Sequence, residues 1–490
     1  MDRAVEETGS SAIAVSDAKA VNRASVRTLY KAREPVYPKR VRGLFRRVKW
    51  LMMGFALAVY YLLPWLRWDR GEGRPSQAVL VDFAGERFYF FWIEIWPQEV
   101  YYITGLLILA ALSLFLVTSM FGRVWCGYAC PQTVWTDLFL AVERFFEGDR
   151  NAQIRLAKSP WTGSKFARKA GKHVVWLLIA AATGGALVFY FHDAPSLLPA
   201  LFDGTASVSA YLFLGILTFT TYSLAGFARE QVCIYMCPWP RIQAALIDEH
   251  ALNVTYRRNR GEPRGAHKKG QSWEGRGHCI DCNQCVAACP MGIDIRDGDQ
   301  LECINCALCI DACNDVMKKV GLPTGLIGYD TSHNVELRAR GEKPKINILR
   351  PRTFVYAGLI ALIGGIMLFS LGTRATIDLN VLRDRNPPYV RLSDGTFRNA
   401  YTLKLMNRTG SARDFTITVG PDNAFILRAV GAEGEGTLTV RVAADETRAL
   451  RVFLTAPQQA EESVPVIFTV RDPVSGEFVA DETNFLTGDR

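Results

Sequence analysis

Residues 279–313 hold Cys279, Cys282, Cys285 and Cys289, followed by Cys303, Cys306, Cys309 and Cys313. Both sets have the C-x2-C-x2-C-x3-C spacing of [4Fe-4S] ligation, in which three thiolates of one run are joined by the distant fourth cysteine of the other. The crossed arrangement assigns Cys279, Cys282, Cys285 and Cys313 to one cluster and Cys303, Cys306, Cys309 and Cys289 to a second. Zinc sites use paired C-x2-C knuckles and do not need the third cysteine. A disulfide framework does not suit a reducing compartment. Asn314 follows Cys313 where many such runs carry proline, but that position is not a ligand.

The chain has 490 residues and 12 cysteines, all before residue 314 and every one in a spaced motif. That use suits metal and redox chemistry rather than crosslinking. Five nearly uncharged windows of bilayer length, at 48–66, 100–121, 173–191, 206–227 and 353–371, predict membrane spans. Lys and Arg concentrate before the first window, between the second and third, and after the fourth, where Lys268 and Lys269 belong, whereas 192–205 has neither. The positive-inside rule then places the N-terminus and the cysteine runs in the cytoplasm and the C-terminal part outside. The net charge of +9 reads as a topology signal, not as nucleic-acid binding.

The second and fourth windows end alike, in Phe121-Gly-Arg123-Val-Trp-Cys126-Gly-Tyr-Ala-Cys130-Pro131 and Phe227-Ala-Arg229-Glu-Gln-Val-Cys233-Ile-Tyr-Met-Cys237-Pro238, with one extra residue in the second copy. Proline after each second cysteine predicts that Cys130 and Cys237 open helices, whose N-termini favour thiolates. Val134, Leu138, Val142 and Phe145 predict a helix along the membrane surface. Soft ligands at Cys126, Cys130, Cys233 and Cys237, with the Met236 thioether, suit Cu(I), zinc or an iron–sulfur cluster. Whether the two pairs meet, within one chain or between two chains of a homodimer, is open at this point. His173 and His192 sit at the ends of the third window, His267 and His278 read as loop residues, and no haem or quinol site is assigned.

The domain expectation is a flexible basic tail over 1–47 and four spans with their cysteine pairs over 48–255. A ferredoxin-like two-cluster segment follows over 256–350, entered by a flexible basic link at 256–277, then a fifth span over 351–373. Alternating runs over 374–490, with neither cysteine nor tryptophan, predict an immunoglobulin-like β-sandwich of about seven strands. The fold class is thus a mixed membrane protein: a five-span helical domain, an inserted ferredoxin-like segment and an all-β C-terminal sandwich.

These features together resemble the FixG/CcoG (RdxA) accessory proteins of the cbb-type cytochrome c oxidase. Arg260-Gly-Glu-Pro-Arg-Gly265 and Asn386-Pro-Pro-Tyr-Val-Arg-Leu-Ser-Asp-Gly395 add to the likeness. The resemblance implies a bacterial inner-membrane iron–sulfur oxidoreductase that reduces Cu(II) to Cu(I) on the cytoplasmic side, with Cys126, Cys130, Cys233 and Cys237 docking copper as substrate. Copper-export and oxidase-assembly proteins are the implied partners, the outer domain being a periplasmic docking module. No dinucleotide fingerprint identifies an electron donor. Two other readings compete: a NapH-like quinol-linked conduit, indifferent to copper, and an assembly scaffold whose clusters are structural or sensing.

Overall fold

The computed structural model describes residues 15–22, 34–71, 74–267, 271–347, 349–420, 425–430, 436–444, 446–457 and 462–487. Lys268, Lys269 and the expected tail residues 1–14 and 23–33 lie outside these. Five helices are long and apolar enough to cross a membrane: Leu44–Trp65, Pro97–Phe121, Gly163–Val188, Val208–Ala228 and Pro351–Gly372. None of the fifth span's apolar window is buried within the protein, as for a helix whose solvent is lipid. The third span starts ten residues earlier than its apolar window, because Thr162 caps it by accepting from the Lys165 amide at 3.2 Å and a Lys- and Arg-bearing first half follows. It meets the fourth span at Gly184, where an added Cβ would lie 3.1 Å from the Leu214 carbonyl oxygen, a small-residue crossing that lets the two backbones approach.

The fourth span ends in two π-helical segments, Tyr222–Ala228 and Val232–Met236. A π turn absorbs an extra residue in an α-helix, and the second cysteine motif has one more residue than the first. Between the first two spans, Val79–Asp82, Arg87–Phe90 and Ile93–Ile95 form an antiparallel sheet. The Val81 amide donates to Tyr190 O at 2.7 Å, fixing this sheet to the end of the third span.

The helix Pro131–Glu147 does not lie free along the membrane surface. Its Phe139 is fully buried and stacks on Trp176 of the third span at 5.1 Å, while its acids make buried ion pairs. Asp137 takes Arg46 at 2.9 Å, Glu143 takes Arg229 at 2.9 Å and Lys172 at 3.2 Å, and Glu147 takes Lys172 at 2.6 Å. Each of these carboxylates is 3–4 % exposed, so removing one partner would leave an uncompensated buried charge.

Two expectations of flexibility are overturned. Within 1–47, the Ser16 amide donates to Cys282 O at 3.0 Å, the Val21 and Asn22 amides to Gly292 O at 2.8 and 3.1 Å, and Lys39 N to Ala287 O at 2.7 Å. Ala18 and Val36 are buried, so these residues are a strap on the ferredoxin-like segment rather than a loose tail. The described residues of 256–277 are likewise part of that fold: Asn253–Tyr256 pairs with Ile327–Asp330, and the Gly265 amide donates to Cys279 O at 3.1 Å.

The cysteine segment is fastened to the first span by one carboxylate. Asp311, lying between Cys309 and Cys313, accepts from the Arg46 amide at 2.8 Å and the Phe45 amide at 3.4 Å, so it caps the first span's N-terminus from outside the helix. A Cβ on Gly43 would stand 2.2 Å from Asp311 Cγ, which leaves room only for glycine.

Residues 368–490 form a separate compact unit. Its nine strands among the described residues make two antiparallel sheets. One orders Ile426–Ala429, Thr447–Ala456, Phe397–Asn407 and Ile377–Arg383, with Val390–Arg391 also on Phe397–Asn407; the other orders Leu438–Val442, Arg413–Gly420, Ser463–Arg471 and Phe478–Leu486. Tyr401, Phe415, Phe468 and Phe485 are fully buried between them. The Tyr401 hydroxyl donates to Asn484 O at 3.0 Å. Apolar packing of the two sheets thus replaces the disulfide and tryptophan pin of antibody domains.

Candidate functional site

The two cysteine runs repeat one backbone conformation. Asp281 and Asn283 flank Cys282 with φ of 53° each, and Asn305 and Ala307 flank Cys306 with φ of 51° and 59°. Asn and Asp tolerate this left-handed region, and each run then turns into a helix, Gln284–Ala288 or Leu308–Lys319. In the first run Arg296 holds the turn, donating to Asp281 at 2.6 Å, Asn283 at 2.7 Å and Asp294 at 2.7 Å. In the second, Asn305 Nδ2 donates to Asn253 Oδ1 at 2.8 Å and the Tyr329 hydroxyl to Asn305 O at 2.5 Å.

The eight thiols fall into two electrostatically coupled sets. Cys313 interacts with Cys282 and Cys279, and Cys285 with Cys313 and Cys282. Cys303 interacts with Cys306 and Cys289, and Cys309 with Cys306, Cys303 and Cys289 and, least, across to Cys285 of the other set. Burial pushes the Cys289, Cys303 and Cys313 thiols up to about 12 and Cys285 and Cys309 well above their ordinary value. Four such groups become thiolates together only when a metal centre takes their protons' place. Backbone amides already point at the sulfurs: Gln284 at Cys282, Met291, Gly292 and Ile293 at Cys289, Asn305 at Cys303, and Ile327 at Cys313. Such hydrogen bonds tune the potential of a cluster.

A small cavity of about 20 Å³ is lined by Cys289, Cys303, Cys306 and Cys309, together with Cys285 and an apolar sheath including Ile293 and Ile304. Among the described residues no three Cys, His, Asp or Glu side chains close on the point of a single ion. Buried thiols around a volume, with amides aimed at them, fit [4Fe-4S] clusters better than a mononuclear centre.

The two C-x3-C-P pairs neighbour one another within one chain, although no three of these thiols close on the point of a single ion. Cys126 interacts with Cys130 and Cys237, and Cys233 with Cys130, Cys126 and Cys237. Cys126 lies on the short helix Val124–Tyr128, and Cys130 is the N-cap of Pro131–Glu147. Cys233 sits in the π-helical turn, whereas Cys237 precedes Pro238, the N-cap of Trp239–Leu246, so only Cys130 occupies the cap itself. Burial first, and the neighbouring thiols second, push Cys126 and Cys233 up to about 12. The Cys126 thiol donates to Gln243 Oε1 at 3.2 Å, and Gln243 Nε2 donates onward to Thr118 at 3.3 Å. Met236 is 63 % exposed and stands apart from the buried group around Cys126.

Two of these thiols, Cys126 and Cys233, pack on the second cysteine run. Cys126, Ile304, Cys306 and Leu308 share one buried cluster, with Cys233, Cys289 and Cys303 packed against it. A Cβ on Gly127 would be 2.5 Å from the Ile304 carbonyl oxygen and 3.0 Å from the Cys306 backbone. The Tyr128 hydroxyl donates to Cys306 O at 3.3 Å. Arg123, 4 % exposed, donates to the Leu301, Cys303 and Pro240 carbonyls, joining the second span, the second run and the second C-x3-C-P helix. Sequence reasoning assigned no role to Arg123, Gly127 or Gln243; the doubled F-[G/A]-R was the only visible signal for the first.

Elsewhere, His278 Nδ1 accepts from Arg260 Nε at 2.9 Å, His267 stacks on Trp273 at 3.9 Å, His173 meets the Tyr222 hydroxyl at 2.9 Å, and His250 packs on His333 at 4.7 Å. None of these joins the thiol groups.

Fold and site define a class: a membrane-spanning iron–sulfur redox protein in which a dicluster ferredoxin segment is packed onto paired cysteines, followed by an immunoglobulin-like domain. Family models agree segment by segment. Residues 228–332 match a 4Fe-4S dicluster domain, 103–147 a 4Fe-4S binding domain, and 367–488 the immunoglobulin-like fold at the C-terminus of FixG. The chain is 50 % identical over 504 aligned residues to "Nitrogen fixation protein FixG" of Rhizobium meliloti (strain 1021), covering 96 % of each. It is 52 % identical to "Protein RdxB" and to "Protein RdxA" of Cereibacter sphaeroides, covering 94 % of this chain and 97 % of the former, and 90 % and 94 % for the latter. It belongs to the FixG/RdxA family. A crystal structure of a FixG-related protein from Vibrio parahaemolyticus aligns with 23 % of this chain and 96 % of its own at 22 % identity, with a TM-score of 0.20.

Proposed function

We propose that the chain reduces Cu(II) to Cu(I) at Cys126, Cys130, Cys233 and Cys237, supporting copper delivery and assembly of cbb-type cytochrome c oxidase. The observation that carries this reading is the proximity of these four thiols to one another, with Cys126 and Cys233 packed against the second cysteine run. On the Lys and Arg distribution the site faces the bacterial cytoplasm and the immunoglobulin-like domain the periplasm. When loaded, the [4Fe-4S] clusters supply one-electron storage. The chain's own residues would bind and select the substrate ion: thiolates prefer the soft, reduced ion and so favour Cu(II) + e⁻ → Cu(I), the electron coming from an upstream quinol or soluble carrier. Cys126 and Cys233 would give up their protons as copper arrives, with Gln243 keeping the Cys126 sulfur oriented. Copper-export and oxidase-assembly proteins are the proposed recipients.

The test is anaerobic. Reduced protein is given Cu(II), and cluster reoxidation is followed beside Cu(I) captured by a chelator, in wild type and in a variant with all four cysteines changed to Ser. Cu(I) should appear in step with reoxidation in wild type and much more slowly in the variant with its clusters intact. Equal rates would overturn the assignment. One observation favours a second reading: the 4Fe-4S binding model covering 103–147 contains no cysteines here except Cys126 and Cys130. On that reading the four thiols hold iron in a quinol-linked conduit, and the protein carries iron in excess of two clusters that the Ser variant loses, with no response to copper.

A further inference from the structure

Where the chain enters the first span, Arg40, Arg42, Arg46, Arg47 and Arg144 line a groove of about 880 Å³. Its other wall is apolar: Trp50, Leu51 and Phe145, which are 41 %, 73 % and 83 % exposed. The charges are only partly compensated. Asp137 pairs with Arg46, the Asp149 carboxylate accepts only the Arg40 backbone amide at 2.9 Å, and Asp311 is taken up by the Phe45 and Arg46 amides. Arg42 and Arg47 have no acidic partner among the described residues, and Arg144 Nε is buried without a hydrogen-bond acceptor. Burial first, and then the Arg46 charge, hold Arg144 below its usual value against the opposing pull of Asp137, Asp149 and Glu143.

The groove's chemistry changes along its length. Its basic end spans the start of the helix, with Arg40 and Arg42 before Leu44 and Arg46 and Arg47 in the first turn, and its apolar residues Trp50 and Leu51 lie further along the span. Guanidinium forks match phosphate oxygens bidentately, and basic pockets at the ends of transmembrane helices take anionic headgroups. An acidic peptide would satisfy the arginines and leave Leu51 and Phe145 uncovered; a phospholipid satisfies both.

We propose that this groove is a binding site for an anionic phospholipid, its phosphate held by Arg42 and Arg47 beside Arg144 and its acyl chains lying along Leu51 and Phe145. The site is independent of the copper reading. Because the Phe45 and Arg46 amides donate to Asp311, an occupied groove would stiffen the junction between the first span and the cysteine segment.

The test uses the full-length, cluster-loaded protein in detergent, titrated with phosphatidylglycerol, phosphatidylcholine or inorganic phosphate and read by native mass spectrometry. Wild type should bind phosphatidylglycerol at least tenfold more tightly than phosphatidylcholine. An R42Q/R47Q variant should bind phosphatidylglycerol about 25-fold more weakly, since each cation near an anionic headgroup contributes about fivefold. The wild-type comparison decides the matter even if the variant misfolds. Equal binding of the two lipids, or an unchanged affinity in a folded variant, would overturn the proposal. Displacement of the lipid by inorganic phosphate at matching concentration would overturn it too, assigning the groove to a soluble phosphate.

Discussion

Gly127→Ala tests the contact on which electron delivery to the paired cysteines would depend under the proposed function. The added Cβ would stand 2.5 Å from the Ile304 carbonyl oxygen and 3.0 Å from the Cys306 nitrogen and Cα. All three atoms are backbone, so no side chain can swing away, and ordinary contact requires the helix Val124–Tyr128 to retreat by about 1 Å. Overpacking of this kind costs about 1–3 kcal/mol, a loss of a few degrees in the apparent unfolding midpoint for a chain this size. The same retreat carries Cys126 away from the second run. Gly54→Ala is the control: it lies in the first span with nothing within 4 Å of its Cβ, and alanine there should be neutral or stabilising by up to about 1 kcal/mol. The assay pairs thermal unfolding in detergent with anaerobic Cu(I) capture and cluster electron paramagnetic resonance. Gly127→Ala should keep both cluster signals, lose stability and slow Cu(I) formation, while Gly54→Ala changes none of these. Wild-type stability and rate in Gly127→Ala would refute the close approach and the delivery route built on it.

Arg296→Ala should remove the brace of the first run alone: it takes away the guanidinium paired with Asp294, whose side chain is 3 % exposed and which keeps the residue-296 backbone amide, and resonance spectra should show selective loss of the Cys279, Cys282, Cys285 and Cys313 cluster. Phe468→Ala in the sandwich should cost about 3–5 kcal/mol without altering iron content, as checked by proteolysis of the C-terminal unit beside visible absorbance. Burial raises the Asp248 carboxyl, but Arg350, bonding both oxygens at 2.6 and 2.7 Å, more than offsets it and holds the acid below its ordinary value. A depressed carboxyl stabilises fully above its unfolded value of about 3.9 and loses that contribution as pH falls through the folded value. Wild type should therefore lose its advantage over Asp248→Asn in protease resistance at the start of the fifth span only below about pH 4, and a constant difference down to the folded value would count against the pair.

The features legible in the sequence were those whose physics is local or periodic. Thiol spacing marked the runs, bilayer length marked the spans, and alternation marked strands such as Phe397–Asn407, whose buried and half-exposed residues alternate along most of its length. The strap over 15–22 escaped because it docks largely through backbone amides, Ser16 to Cys282 and Val21 to Gly292, which any side chains could supply. Asn253–Tyr256 escaped because its partner strand lies on the far side of both cysteine runs. The sheet at 79–95 was hidden by aromatics on both faces, Phe88 and Tyr89 among them. The extra residue in the second cysteine motif was visible, but only the π-helical turns show how the chain stores it while still bringing Cys233 to Cys126.

That meeting of the pairs changes what helix-end position can mean for the thiols. Proline after Cys130 and Cys237 argued for helix dipoles that favour thiolate, yet burial governs Cys126 and Cys233 and keeps them protonated near neutral pH. Cys126 and Cys233 therefore do not stand ready as adjacent charges, which would repel one another in a low dielectric. Under the proposed function they would ionise as the soft cation enters, making cation uptake and proton release one event. Arg123, buried between the second run and the Trp239–Leu246 helix, supplies a fixed positive charge beside Cys126 and Cys303. It lowers the cost of thiolate on both sides of the Gly127 contact. Neutralising it with Gln, a shorter side chain that keeps hydrogen-bonding capacity, should weaken both centres together, and that joint loss is what separates a shared electrostatic support from a merely structural clamp.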